Sequence, residues 1–491
     1  MIHPTPTKVL LTTTFEPLVM QLSGALARGV RLIDQFVQDE PTPEQMRAFE
    51  HDLSALLRDV GRRIMAWALN RLEPANDDEA PSRVEYRGRL YRRRRQHPNQ
   101  VATLFGPVKL WRRLYEPLGS GGSSIHPLEL RLGIEAGLAT PALAERVGQW
   151  STDHTQQEVL ELLEKEHGVP WSCTSLRKVL GSLRDGMAPH REVCQVDQVV
   201  SWIEQARASK GRFRPTLAVG RDGIFVPLRH GVWQEGATAT ISVLDRRGKR
   251  VGTVYLGQMP ESGQSTLTDQ LSGLLTAILT QVDSQSLRLV YVSDEGHHPS
   301  TYYHRVLKKM VDPRRPWRVL DWIRIVDFYH ACQYVQQLAD TIFGAGEVAQ
   351  NWAQEMRHVL KTKADGVTRL LQSASALRRS RGLCGQSKLY EKAYRYLKKR
   401  TQWMRYHLYK RQGLPLGSGI TEAACKLVFT QRLKRSGMSW TIEGGQVILD
   451  LRVIKLSRVW GKAHQRYLAS KPMPIVPLET AKGLQNEQLA A

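Results

Sequence analysis

A chain of 491 residues, 41% hydrophobic and 24% charged, is composed to fold and is too long for one typical core, which predicts about two to four domains. Lys and Arg outnumber Asp and Glu 70 to 47, and the resulting +23 goes beyond what solubility requires and points to a polyanionic partner, nucleic acid first. The five cysteines, Cys173, Cys194, Cys332, Cys384 and Cys425, contain no C-x-x-C pair, which argues against a disulfide framework and against structural zinc; no apolar run reaches the ~18–20 residues of a membrane span, and MIHPTPTKVLLTTTF is not a signal peptide, so a soluble, cytoplasmic protein is expected.

Residues 1–75 read as N-terminal helices with a break at PTPEQ and an apolar stripe of Leu53, Leu56, Leu57, Val60, Ile64 and Ala68; the acidic linker PANDDEAPSR closes this unit. Residues 84–117 read as a small basic β element, VEYRGRLYRRRRQ and VATLFGPVKLWRRLY, with HPN as the turn. Its Arg92, Arg93, Arg94 and Arg95 are either a solvated face or a set of phosphate contacts. Over 127–190 the pattern is helical: one helix ends near His167-Gly168, and Ser172 or Thr174 caps the next, which carries Arg177 and Lys178. That is the outline of a helix-turn-helix for DNA, and equally of a packed αα-hairpin.

From 212 to 330 strand and helix patterns alternate. TLAVGRDGIFVPL, ATATISVLD and VGTVYLGQM are three strands, the last two joined by the hairpin DRRGKR; SGQSTLTDQLSGLLTAILTQV is a helix, RLVYVS a buried strand, Tyr302 to Met310 a short helix, and WIRIVDFYHA a strand entering a helix. The order β-β-β-α-β-α-β is that of a ribonuclease H-like α/β core. That fold brings the ends of its first and fourth strands together, at Asp222 and Asp294 here. Each has a plainer alternative, Asp222-Gly223 as a hairpin turn and Asp294 as a helix cap. Phosphoryl transfer on nucleic acid needs hard oxygen ligands converging on Mg2+ or Mn2+, and two aspartates hold only part of such a cluster, so a third carboxylate is expected further on.

Residues 331–416 are expected to be an all-helical insertion. Its last segment, KLYEKAYRYLKKRTQWMRYHLYKRQG, carries a core stripe of Leu389, Ala393, Leu397, Met404 and Leu408, while Lys398, Lys399, Arg400, Arg405, Lys410 and Arg411 face outward toward a nucleic-acid path. Then comes GSGITEAACKLVFTQRLKRSGMSW, in which one carboxylate, Glu422, stands among Lys426, Arg432, Lys434 and Arg435. Alone, Glu422 reads as a first-turn acid paired with Lys426, and Ser418 as a turn or cap residue rather than a nucleophile.

These last motifs, together with RDGIFVP, VSDEGHH, IVDFYHA and GGQVILDLRV, resemble over roughly residues 100 to 460 the DDE transposases of bacterial insertion sequences, in particular the Kra-type group, similar to the Mutator-like branch. The resemblance implies a catalytic and metal-binding triad of Asp222, Asp294 and Glu422, with two Mg2+ or Mn2+ ions, and a D-x-x-H element at Asp327 and His330, residues that read otherwise as a helix cap and an interior histidine. It also implies a core made of 212–330 and 417–460, double-stranded DNA as partner (terminal inverted repeats and target), a homodimer or higher oligomer on DNA, and a nucleoid-associated place in a bacterium. From charge and placement, Arg92–Arg95, Arg177, Lys178, Lys398, Lys399, Arg400, Arg405, Lys426, Arg432, Lys434 and Arg435 are expected to bind DNA, and 470–491 is expected to be a disordered tail. Two other classes stay open: a domesticated, inactive DNA-binding protein and a ribonuclease H-like nuclease.

Overall fold

The computed structural model describes residues 16–38, 40–119, 121–381, 388–471 and 475–479; Cys384 lies outside them. The chain is mixed α/β and divides into two compact units, Met1–Met187 with His464–Ala491, and Ala188–Ala463.

In the first unit, α1 (Glu16–Val37) and α2 (Pro43–Asn70) break where PTPEQ predicts. Thr42 Oγ1 accepts from the Gln45 amide while Gln45 Oε1 accepts from the Thr42 amide, and Pro43 occupies the first turn, where its missing N–H is harmless. The expected stripe on α2 is only half covered, with Leu57 and Ile64 exposed. Strands β1 (Arg83–Tyr86), β2 (Arg89–Thr103) and β3 (Gly106–Pro117) form an antiparallel sheet extended by the late strand Val476–Glu479, so the expected disordered tail is ordered at that point. HPN is not a turn: β2 runs straight through it, Pro98 opposite Trp111. Pro98 is tolerated because β1 pairs only with Arg89–Arg92, leaving β2 an edge strand further on. The turns fall instead at Arg87-Gly88, both with φ > 0, and at Leu104-Phe105.

After α3 (Pro127–Leu132) and α4 (Pro141–Ser151), α5 (Gln156–His167) starts on a Thr155–Glu158 capping box and stops at Gly168, φ 62°. Then α6 (Cys173–Ala208) begins with Ser172 Oγ accepting from the Ser175 amide. The helix pair therefore exists where expected.

The second unit is built on β4 (Thr216–Pro227), β5 (Trp233–Leu244), β6 (Arg250–Gln258), α7 (Ser265–Gln281), β7 (Arg288–Ser293), α8 (His297–Arg305), the small hairpin β8 (Val311–Asp312) and β9 (Arg315–Val319), and β10 (Trp322–Val326). Its five-stranded sheet has the order β10-β7-β4-β5-β6; β4, β5 and β6 are antiparallel, whereas β7 is parallel to both β4 and β10. The α8 helix starts five residues earlier than expected, because Pro299 is acceptable in a first turn.

Alternation along the strands covers both faces. Leu217, Val219, Leu289 and Tyr291 pack with α7, while Ala218, Val290, Val292 and Ile325 pack with α9 (Phe328–Phe343). The helices continue as α10 (Glu347–Thr362), α11 (Gly366–Ser380), α12 (Lys388–Lys399) and α13 (Tyr406–Arg411). The 388–411 segment is thus two helices joined by a 3-10 turn at Thr401–Trp403, and Leu389 of its expected core stripe is 57% exposed. Next, α14 (Gly419–Cys425) passes through a π turn, Lys426–Thr430, into α15 (Gln431–Leu433); α16 (Ile442–Leu456) and α17 (Trp460–Ser470) follow.

Candidate active site

Strand register explains why distant acids meet. Gly220 of β4 lies opposite Val292 of β7, so two residues on in each strand direction stand Asp222 and Asp294; Val326 of β10 lies opposite Ser293, so one residue on stands Asp327. All three have the parity of Ala218, Val292 and Ile325 and fall on the α9 face, Asp294 and Asp327 just past the C-terminal ends of β7 and β10 and Asp222 within β4, two residues past the end of its pairing with β7. Asp222-Gly223 is no hairpin turn, since Asp222 pairs with Thr238 inside β4.

Glu422 reaches this face because β4 has a glycine there. A Cβ on Gly220 would lie 1.9 Å from Thr421 Oγ1, and Thr421 instead exchanges a 2.9 Å hydrogen bond with Thr240 of β5. Gly236 and Gly257 open the same lane for Phe429 and Val428. Three missing side chains thus let α14 and its π turn lie close to the sheet, with Glu422 in the first turn.

Each carboxylate has polar partners, none of them cationic. Asp222 Oδ1 accepts from the Gly223 amide at 2.8 Å, and its Oδ2 lies 3.4 Å from Cys425 Sγ. Asp294 Oδ1 accepts from the Gly296 amide at 2.9 Å. Ser418 Oγ sits 2.6 Å from Asp327 Oδ2 and 2.8 Å from Glu422 Oε1; with one proton to donate it serves one carboxylate at a time and ties the two together. Among the described residues no Lys or Arg forms an ion pair with Asp222, Asp294 or Glu422, and Lys426 does not pair with Glu422. Arg221, next in sequence to Asp222, points to the opposite face, bonded to Thr268 and Gln264. Burial, reinforced by Asp294 and Glu422, pushes the Asp222 carboxyl up to about 6, against the lowering effect of its Gly223 and Cys425 hydrogen bonds. Burial and the Asp222 charge hold the Cys425 thiol far above its ordinary range.

The donor set suits a hard divalent cation: three carboxylates with no counter-charge, one already electrostatically penalised. Its arrangement is open, because among the described residues no three His, Cys, Asp or Glu side chains are grouped closely enough to hold a metal ion. No protein-family model matches the chain, and no curated protein is significantly similar to it.

Asp327, fully buried, caps α9 by accepting from the His330 amide at 2.6 Å and accepts from both the amide and the hydroxyl of Ser418. The D-x-x-H link is therefore through the His330 backbone, while the His330 ring lies edge-on to Tyr334 and Tyr396.

The sequence reading missed the scaffold behind Asp294. Glu295 has φ 69° and is buried, pairing with Arg324, which also bonds Ser300 and His304 and stacks 3.8 Å from the Trp403 centroid. The Tyr396 hydroxyl donates to the Asp294 carbonyl at 3.0 Å. The only signal was position: Glu295 follows Asp294 directly in VSDEGHH.

The basic residues divide. Arg92, Arg95, Arg177, Lys178, Lys398, Lys399, Arg405, Lys426 and Arg435 are exposed. Arg177 is tied to Gln156, Arg94 pairs with Glu116 at 2.7 Å, and Lys434 lies over Trp233. Three expected phosphate contacts are turned to structural work instead. Arg93 donates to the carbonyls of Asp77 and Ala80, Arg432 is 1% exposed beneath Trp440, and Arg400 lies over Tyr396 and 3.6 Å from Glu295. A guanidinium satisfies carbonyls and aromatic faces as readily as phosphates, so arginine runs overstate the exposed charge. Among the described residues no helix is long and apolar enough to cross a membrane.

Proposed function

We propose that the protein is a DDE-type transposase that cuts DNA at the ends of an insertion sequence and joins the freed 3′ ends to target DNA. The observation that carries this reading is the assembly of Asp222, Asp294 and Glu422 on one face at one end of the sheet without any cationic partner. The strand order, three antiparallel strands followed by two added in parallel, and a helical segment between β10 and the Glu422 helix, support a ribonuclease H-like core carrying an insertion.

In this reading Asp222, Asp294 and Glu422 would hold two Mg2+ or Mn2+ ions, which would supply activation of the attacking oxygen and charge shielding for the phosphate. The chain's own part is positioning. The Gly296 amide and Tyr396 fix the Asp294 segment, Ser418 couples Glu422 to the buried Asp327, and Gly220 sets how closely α14 approaches. The net positive charge and the exposed Arg92, Lys178, Lys398, Lys399, Lys426 and Arg435 favour DNA as the polyanion. On α1, exposed Leu26, Val30, Ile33 and Val37, spaced 4-3-4, support self-association through a helical seam.

The test is nicking of DNA that carries the ends of the element encoding this chain. Nicking should vanish in chelator and return with Mg2+ or Mn2+. The open arrangement of the carboxylates favours, as a second reading, a DNA-binding protein without catalysis, and that reading predicts end binding with no nicking under any metal condition.

A further inference from the structure

Beside the Asp294 loop lies a cleft of about 680 Å3 between α9, α11 and α12. Lys388, Lys392, Arg395 and Lys399 follow one another at helical spacing (i, i+4, i+7, i+11) along one exposed stripe of α12 and line it. Its acid, Glu391, is engaged by Arg378 at 2.6 Å. Among the described residues, by contrast, none of the four stripe cations forms an ion pair or a side-chain hydrogen bond. Four like charges converging on one concavity repel one another and are stabilised only by an anion placed among them. The floor is Tyr334 stacked on Tyr396, centroids 3.8 Å apart, and the Tyr396 hydroxyl binds the Asp294 carbonyl, so the cleft ends one side chain from the carboxylates.

We infer that this cleft binds the sugar–phosphate backbone of one unpaired DNA strand leading to or from the carboxylate end of the sheet, an inference that takes the identity of the polyanion from the DNA-cleaving reading. The lining favours strand over duplex. At about 680 Å3 the open cleft has room for a short run of one strand. A row of cations above an aromatic floor is also the chemistry by which single strands are tracked without reading sequence. Lys398, on another face of the same helix, is outside this stripe and free to meet duplex.

The experiment is fluorescence anisotropy on the full chain in excess chelator, with a labelled short oligothymidylate and a duplex of equal length, comparing wild type with Lys392→Glu/Arg395→Glu. The single strand should bind at least about tenfold more weakly and with a salt slope shallower by roughly 1.4, two contacts at about 0.7 each, while duplex binding changes by less than about threefold. Unchanged single-strand affinity and slope overturn the proposal, as does an equal loss for duplex, which would make the stripe a duplex surface. If circular dichroism shows the double variant misfolded, Lys388→Gln/Lys399→Gln is read by the same criteria. Because no metal is present, the binding outcome is independent of nicking: wild type that fails to nick element ends in added Mg2+, while the variant loses single-strand binding as expected, counts against the transposase reading and leaves the cleft standing.

Discussion

Asp294 and Glu295 are neighbours in sequence and opposites in electrostatics. Glu295 is enclosed with Arg324 against Trp403 and Tyr303, its charge matched at close range, and its left-handed backbone is held by that network. Asp294 emerges on the other side of the same turn with one amide hydrogen bond and no cation, beside an Asp222 whose proton is held to about 6. A buried ion pair contributes little net stability over an apolar substitute but is expensive to break, so Glu295–Arg324 is best understood as a rigid mount. Ionised Asp222, buried and facing Asp294 and Glu422 without a cation, is the destabilised carboxylate of the site, and a bound cation would add the most there.

Three substitutions sharpen the contrast. The largest effect is expected on chemistry: Glu422→Gln keeps the shape and removes charge, so end nicking should fall about ten-thousandfold, on the order of 5 kcal/mol, with melting little changed. Normal nicking by a lower-melting variant would return Glu422 to the role of a helix-terminal acid. Next in size is stability on the mount. Arg324→Met leaves Glu295 buried with only the Ser293 hydroxyl at 3.1 Å and Arg400 at 3.6 Å and should destabilise the sheet unit by about 3 kcal/mol in denaturant titration; a loss below about 1 kcal/mol would mean that Arg400 takes over the pairing or that Glu295 finds solvent.

The smallest has the opposite sign. Burial raises the Asp222 carboxyl from its ordinary 3.8 to about 6 in the folded chain, so the folded state holds the proton more tightly than the unfolded one. The stabilisation this provides is complete below about pH 4 and is lost as pH rises through about 6. Asp222→Asn should therefore melt higher than wild type at pH 8, by on the order of 1–3 kcal/mol without metal, and match it near pH 4. Equal melting at both pH values would show that the cluster is not strained.

What the sequence could reveal follows from which interactions are local. Strand order, Asp222 within its strand and Asp294 just past one were readable because short apolar runs mark the strands locally, and the helix break at Thr42-Pro43 and the stop at Gly168 because caps and glycines act within a few residues. Pro98 misled because its tolerance depends on how far β1 extends, a long-range fact. Arg432 and Arg400 misled because a guanidinium's partner, phosphate or ring, lies far along the chain. The glycine lane Gly220, Gly236 and Gly257, which sets the approach of the Glu422 helix, has no local pattern at all, since each glycine is explained only by the side chain above it.

The claim that the carboxylates of Asp222, Asp294 and Glu422 form a divalent-cation site is tested most directly by titrating the purified chain with Mn2+ and following free ion by electron paramagnetic resonance, for wild type and Asp222→Asn at pH 8. The account predicts saturable uptake by wild type, competed by Mg2+, and loss of that uptake in the variant. Equal uptake by both proteins, or none by either with DNA present, would contradict it.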